Sequence, residues 1–272
     1  KTVQVYNSTD KTVSGNENEV LLPDAITHIG ISCFNGCSSV MSITLPSSLT
    51  SVGSDAFLAF ADIEIVIPAG VTEIDDNAFC GHTVSVEDGN TAYFAQDGML
   101  FSSDGTVLSA PAGMTGTDGS MVVPEEVVKI GSNALNQVTG IKEITVTTDQ
   151  ITKYSFAYFT GDVIVKLGES KVLAAYAFAD YRGTSVILPE GLEEIGDHAF
   201  YGASNLTKID IPDTVQAVGA QLFRECSSLL SVTLPEGIEV LDGFTFYNNN
   251  ALMSVTLPST LKTMGNQEFK NC

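Results

Sequence analysis

The sequence predicts a solenoid: a stack of short coils with a parallel β-sheet along one face and compact turns along the other. Three observations carry this expectation. Eight of the nine prolines (Pro23, Pro46, Pro68, Pro124, Pro189, Pro212, Pro235 and Pro258) each follow an apolar residue, and neighbouring intact units lie 22 or 23 residues apart. Rows of apolar residues keep step with those prolines. Before each proline, apolar and polar residues alternate. A fixed period of this length marks units that bury their apolar faces only against their neighbours.

Three residues before the proline stand Ile43, Ile65, Ile209, Val232 and Val255, each between more polar neighbours. A period of two is that of a strand. Proline then ends the strand, because it has no N–H to give to a ladder. Apolar residues three and six positions after it, such as Leu49 and Val52 or Leu192 and Ile195, define a corner and a short extended piece. The seventh position holds Gly30, Gly53, Asp75, Gly131, Gly196, Gly219, Asp242 or Gly265. Glycine with Asp as its substitute predicts left-handed backbone or a tight turn there. The eleventh holds Phe34, Phe57, Phe79, Leu135, Phe200, Phe223, Phe246 and Phe269. These Ala-Phe segments are too short for an α-helix, so short turns or 3-10 segments are expected.

Two regions leave the register. Pro68 and Pro124 are separated by more than two units, and the excess falls at about 90–120, around Pro111. The Asp104-Gly105 pair, flanked by Leu100-Phe101 and Val107-Leu108, predicts a β-hairpin projecting from one coil. Over about 146–187 the prolines vanish, yet Phe156 and Phe178 hold the aromatic row, so degenerate coils are expected. The reading is an N-terminal cap at 1–21 and a solenoid of about eleven coils at 22–272. The last unit stops part-way, so a C-terminal cap is expected to be missing, disordered or trimmed away. The chain starts at Lys1 without Met, which suggests a mature chain whose signal peptide has been removed.

The net charge of −21, from 33 acidic against 12 basic residues, argues against nucleic acid and anionic membrane surfaces as partners. No stretch reaches the roughly 20 apolar residues of a membrane span, so membrane insertion of this region is not expected. Cys33, Cys37, Cys80, Cys226 and Cys272 are expected to be free, largely buried thiols, since Cys226 and Cys272 fall two coils apart. No metal or cofactor is expected. His28, His82 and His198 occupy different phases of the repeat, and Cys80 with His82 falls short of a zinc set. Asp75-Asp76-Asn77 and Glu87-Asp88-Gly89-Asn90 lack calcium-loop spacing and read as turns. Nucleophile-elbow, zincin and phosphate-loop patterns are absent.

The outer face of the sheet is the default binding surface of a solenoid. Its outward positions, four and two before each proline, give the candidate binding residues Ser42, Thr44, Glu64, Lys208, Asp210, Ser231, Thr233, Ser254 and Thr256, with Val66, Ser185 and Ile187 among their neighbours. Most carry small hydroxyls that suit β-pairing as readily as a ligand. The hairpin, with Tyr93, Phe94, Met99 and Phe101, is a second candidate, though those rings can equally cover a coil end.

Units such as Leu45-Pro46-Ser47-Ser48-Leu49-Thr50-Ser51-Val52-Gly53-Ser54-Asp55-Ala56-Phe57, and the segments 188–200 and 211–223, resemble the leucine-rich repeats of the BspA-like surface proteins. The stretch from Asn90 through Asp97-Gly98-Met99-Leu100-Phe101 to Pro111 resembles an insertion common in that family. The resemblance implies a right-handed leucine-rich-repeat solenoid, secretion or display at the cell surface, and non-enzymatic adhesion to a protein or glycan on a host or neighbouring cell. Two alternatives stay open. One is a structural spacer presenting another domain. The other is a polysaccharide-active enzyme, which would need paired carboxylates on one strand face.

Overall fold

The structure, a computed structural model, describes residues 19–61, 63–110, 119–123, 127–136, 138, 141–147, 151–166, 168 and 171–272. Most of the expected N-terminal cap, 1–18, lies outside the described residues, as do Pro111 and Pro124. Two compact units are present: Lys1–Gly113 with Ser132–Gln137, and Met114–Gly131 with Val138–Cys272. Each is a piece of β-solenoid, and no helix occurs among the described residues.

Most regular coils begin with the expected strand, and the coil of Ile209 keeps only single bridges at Lys208 and Asp210. In the first unit Glu19–Leu21 pairs in parallel with Ser42–Thr44, and Ile65–Ile67 with Val84–Val86. In the second, Ser120–Val122, Glu143–Thr147, Asp162–Lys166 and Val186–Ile187 form a four-stranded parallel sheet, and Ser231–Thr233 pairs with Ser254–Thr256. Alternation puts Ile65, Ile209 and Val232 inside and leaves their neighbours in solvent. The proline then opens a turn, and its carbonyl accepts the N–H three residues on: Ile26 to Pro23 at 3.0 Å, Leu49 to Pro46 at 2.9 Å, Val215 to Pro212 at 3.0 Å. The apolar residue at that third position is thereby aimed inward, and Leu49, Val71, Leu192 and Val215 are all fully buried.

The short extended piece that follows is itself a strand, which the one-sheet expectation missed. His28–Ile29, Ser51–Val52 and Glu73–Ile74 form a parallel sheet in the first unit. Val172–Leu173, Glu194–Ile195 and Ala217–Val218 form one in the second, and Val240–Leu241 pairs with Thr263–Met264 there. Neighbouring coils are therefore joined along two strand positions, with breaks in the ladders such as those between Ser42–Thr44 and Ile65–Ile67 and between Ala217–Val218 and Val240–Leu241.

The Phe-bearing turn makes a third ladder without being a strand. No 3-10 segment forms among the described residues. Instead, residues nine and thirteen positions after the proline adopt left-handed backbone, as in Ser32 and Gly36 (φ 53° and 78°) or His198 and Gly202 (57° and 67°). The Phe lies midway between them. Every second N–H of the turn then reaches the next coil: His198 to Ala220 O at 2.9 Å, Phe200 to Leu222 O at 3.1 Å, Gly202 to Arg224 O at 2.8 Å. The intervening amides close the turn on itself, as Tyr201 N does to His198 O at 3.0 Å.

Of the two readings of the seventh position the tight turn holds: none of its glycines is left-handed, and the carbonyls of Gly30, Gly53 and Gly196 each accept the N–H three residues on at 3.3 Å. These residues are small because the preceding coil is close. A Cβ on Gly53 would stand 2.8 Å from Ile31 N, one on Gly196 2.6 Å from Ala175 N, and one on Gly219 2.3 Å from Asp197 N.

The phenylalanines stack coil on coil. In the first unit Phe34, Phe57 and Phe79 lie 5.2 and 5.0 Å apart between ring centres. In the second, the series Phe156, Phe178, Phe200, Phe223, Phe246 and Phe269 has steps of 5.1, 5.3, 5.5, 5.8 and 5.3 Å. These steps match a strand spacing of about 4.8 Å, slightly widened. Phe156 and Phe178 sit in the series like the rest, so the proline-free stretch forms complete coils. There the fully buried Tyr181 fills the corner, with its hydroxyl 2.7 Å from Gly161 O and 2.8 Å from Ser185 O.

The insertion is larger than the expected hairpin and does not project. Tyr93–Gln96, Met99–Ser102 and Thr106–Ser109 form an antiparallel meander turned at Asp97-Gly98 and Asp104-Gly105. Met99, Leu100 and Phe101 are buried in the first unit. The solenoid has about nine turns, slightly fewer than the eleven expected.

Two substitutions test this packing. Phe200→Ala should cost about 3–5 kcal/mol in urea unfolding, since it deletes a ring buried between two others. Gly219→Ala should cost about 1–3 kcal/mol by forcing backbone apart, whereas Gly30→Ala, with nothing within 4 Å of the added carbon, should change stability by less than about 0.5 kcal/mol.

Candidate functional site

The outward sheet positions are distributed over both units. Ser42, Thr44 and Glu64 are exposed on the first, beside a half-exposed Val66. Lys208, Asp210, Ser231, Thr233, Ser254 and Thr256 are exposed together on one face of the second. Parallel register sets them in columns: Lys208 opposite Ser231 and then Ser254, and Thr233 opposite Thr256. Residues in register repeat at every coil, so the face offers a ligand two rows of hydroxyls interrupted by one charged pair.

The degenerate coils extend this face in a way the sequence concealed. Val122, Thr145, Ile164 and Ile187 are in register, and Ile187 bridges to Asp210. Val122 and Ile187 are 63% and 54% exposed, too much for a core role. An apolar column therefore runs up to the charged pair. Where they meet, the ladder thins to single bridges, Ile187 to Asp210 and Lys208 to Ser231. A groove of about 670 Å³ opens there between Thr184–Leu188 and Thr207–Asp213. Lys208 Nζ sits 2.8 Å from Asp210 Oδ2, and both side chains are largely exposed. Such a pair contributes at most about 1 kcal/mol to stability, so a ligand can exchange partners with it at little cost. Glu190 and Asp213 add carboxylates to the rim.

The turn face of the second unit carries a feature that the search of sheet positions missed. The left-handed ninth position holds Tyr154, Tyr176 and His198 in successive coils, with ring centres 5.6 and 4.5 Å apart. Lys153, Arg182, Arg224 and Lys270 lie over rings of this face. Burial is the main cause that pushes the Tyr154 and Tyr201 hydroxyls above the usual tyrosine value, so both stay protonated at neutral pH. Burial likewise raises the Asp180 carboxyl, against the opposing pull of Arg182. A row of aromatics at a non-apolar phase of the repeat was the available signal.

The remaining candidates serve the fold. The meander's Tyr93 hydroxyl accepts Ile74 N at 2.8 Å, and Phe94 stacks on the buried Phe101 at 5.0 Å. Asn90 ties the meander to the coil beneath, donating to Pro68 O and Val71 O and accepting from Ala92 N and Tyr93 N. Asn77 donates to Asp55 at 2.5 Å, and Glu87 accepts Ala69 N at 3.0 Å. His82 is buried, with Nε2 2.7 Å from Phe57 O, while His28 is exposed and His198 lies in the aromatic column. No group of three or more His, Cys, Asp or Glu among the described residues is placed to hold a metal ion.

With this geometry in hand, the chain was compared with known proteins. The model of the BspA-type leucine-rich repeat region matches in six copies over residues 13–87, 119–166 and 171–272. The chain belongs to the BspA-type leucine-rich repeat family. No curated protein matches it. Among solved structures it is similar to the pneumococcal vaccine antigen PcpA, at 24% identity and a TM-score of 0.59, over 90% of this chain and 57% of that one. It also matches a leucine-rich cell surface protein of Faecalibacterium prausnitzii (22% identity, TM-score 0.45, 94% and 57% covered) and a leucine-rich repeat protein of T. pallidum (18%, 0.34, 94% and 76%). The likeness to PcpA supports the solenoid fold, and the chain spans 57% of that protein's length. No helix among the described residues is long and apolar enough to cross a membrane.

Within this BspA-type repeat the five cysteines are unequally exposed: Cys80 and Cys226 are buried, Cys33 and Cys37 half-buried, Cys272 exposed. Cys226 Sγ donates to Phe200 O at 3.0 Å, and burial pushes its pKa far up. A thiol-reactive dye should therefore label Cys272 in the native protein and reach Cys226 only after unfolding. Native labelling of Cys226 at the rate of Cys272 would contradict the packing described.

Proposed function

We propose that this chain is the recognition region of a secreted or cell-surface protein, acting without catalysis by adhesion to a protein or glycan on a host or neighbouring cell. The observation that carries this reading is the groove at Ile187, Lys208 and Asp210. It combines an exposed apolar floor, a loosely held charged pair and a hydroxyl-lined border on one rigid sheet. A binding site needs an apolar contact area and a few polar groups to fix orientation. Ser231, Thr233, Ser254 and Thr256 continue the surface along the coils and supply further hydrogen-bonding groups. Ser42, Thr44 and Glu64 offer a similar hydroxyl and carboxylate face on the first unit. Family membership and the surface location named for the Faecalibacterium protein support display outside the cell.

The test is a glycan and protein array probed with the purified chain, followed by titration of the strongest hit. K208S/D210S should weaken that hit by about tenfold or more, as expected when a hydrogen-bonded charged contact is lost. Unchanged affinity would remove the groove from the proposal, and an array without binding above background would overturn the adhesive reading.

A further inference from the structure

We propose that the turn face of the second unit is a separate interaction surface, built to take an acidic segment of a protein partner. It is independent of whatever the sheet groove binds. In a chain with 33 acidic and 12 basic residues, both arginines and two lysines converge on this one strip. Lys153 Nζ lies 5.0 Å from the Tyr154 ring and 4.6 Å from that of Tyr176. Arg182 lies 5.5 Å from the Tyr158 ring. The Arg224 guanidinium sits among the rings of Tyr201, Phe244 and Tyr247 at 5.6, 5.8 and 5.1 Å, and Lys270 lies 5.7 Å from Tyr247.

The cations here are positioned and only partly neutralised: Asp180 lies close enough to Arg182 for the two charges to interact, and Glu225, besides pairing with Arg224, accepts the Tyr201 hydroxyl at 3.3 Å. Elsewhere, Lys171, Lys208 and Lys262 are each paired with a carboxylate. Among the described residues no carboxylate pairs with Lys153, Arg182 or Lys270, and only Arg224 has one, Glu225, at 3.2 Å through Nε. The arginines are also held in place. Arg224 Nη1 donates to Gln221 at 2.6 Å, and Arg182 Nη1 donates to Gly202 O and to Ser204 Oγ. A guanidinium lying on a ring still presents in-plane N–H groups beyond those given to Gly202, Ser204, Gln221 and Glu225, and Arg suits a carboxylate contact of this kind better than Lys. Because the groups are already ordered, little side-chain freedom is lost on binding.

The chemistry selects the partner. Tyr and Arg anchor protein interfaces, and clustered Arg is a recurrent reader of acidic peptides. A sugar stacks on the open face of an aromatic ring. Here Tyr176 and His198 stack face to face, Tyr154 is tilted by 46° to Tyr176, and Lys153 lies over both tyrosine rings, so ring edges more than open faces remain for a ligand. Carboxylates can use those edges through the tyrosine hydroxyls and the guanidinium forks. Tyr158, half exposed beneath Arg182, gives the strip its most accessible apolar contact.

The probe is fluorescein-labelled decaglutamate, titrated with the whole chain by fluorescence anisotropy at low salt, with decaglutamine as control. Decaglutamate should bind and decaglutamine should not, although the protein is itself acidic. R182A/R224A should weaken binding by about tenfold or more, while K208S/D210S should leave it unchanged. R182K/R224K should recover only part of the affinity, because it keeps the charge and loses the fork. This variant decides the matter if the alanine pair lowers the unfolding midpoint. Equal binding of the two peptides, or full affinity in both arginine variants, would overturn the proposal. Displacement of decaglutamate by a heparin fragment that itself binds more tightly would overturn it in favour of an anionic glycan.

Discussion

The stacking of one phenylalanine on the next is the contact on which this structure depends. A single coil of 22 or 23 residues cannot enclose its own apolar side chains. Phe200 is fully buried because Phe178 and Phe223 cover its two faces, and each of those is covered in turn. Burying such a ring is worth about 1.5–3 kcal/mol, and the paired geometry adds about 0.5–1.5 kcal/mol. The ring spacing must also agree with the hydrogen bonds. Two strand ladders and the alternating amides of the Phe turn all run coil to coil, so one repeat distance satisfies them together. Phe269, covered on one side by Phe246, stays 38% exposed.

Much of this was legible because a solenoid repeats its physics at a fixed period. The prolines marked strand ends, the Phe row marked the core, and Asp104-Gly105 marked a reversal. What stayed hidden has specific reasons. The second sheet uses two-residue strands such as Glu194–Ile195, too short to show an alternation. The glycines of the seventh position looked like left-handed residues, because sequence cannot separate a need for positive φ from a need for no side chain. The left-handed ninth position holds Ser, Asp, Asn, Tyr, His, Gln and Phe in different coils, and the thirteenth mixes Gly and Asn with Ala, Asp, Glu and Tyr, so no single residue type announced them. The meander's Tyr93–Gln96 strand lacked a recognisable partner until Asp97-Gly98 was seen to turn the chain onto Met99–Ser102.

The same logic explains what could be read of the sites. Lys208 and Asp210 could be placed on the outer face from period two alone. Ile187, two residues before Pro189, could be placed there in the same way, whereas Ile164 could not, since its coil has no proline to set the register. The cation and tyrosine strip left only the row of Tyr154, Tyr176 and His198 as a trace in the sequence, because its cations occupy several phases of the repeat and meet those rings only where the turns stack. Both surfaces rest on the core beneath them. A column of side chains in register is a rigid array, and rigidity lets exposed groups such as Lys208 or Arg224 hold a binding geometry without a deep pocket.

The central claim is that each coil is stabilised by its immediate neighbours, and a double-mutant cycle on the phenylalanine stack measures this directly. Phe200→Ala and Phe223→Ala, adjacent in the stack, should show a coupling energy of about 0.5–1.5 kcal/mol in equilibrium unfolding. Phe200→Ala and Phe246→Ala, one coil further apart, should add to within about 0.5 kcal/mol. Equal coupling in the two cycles, or none between Phe200 and Phe223, would contradict the account.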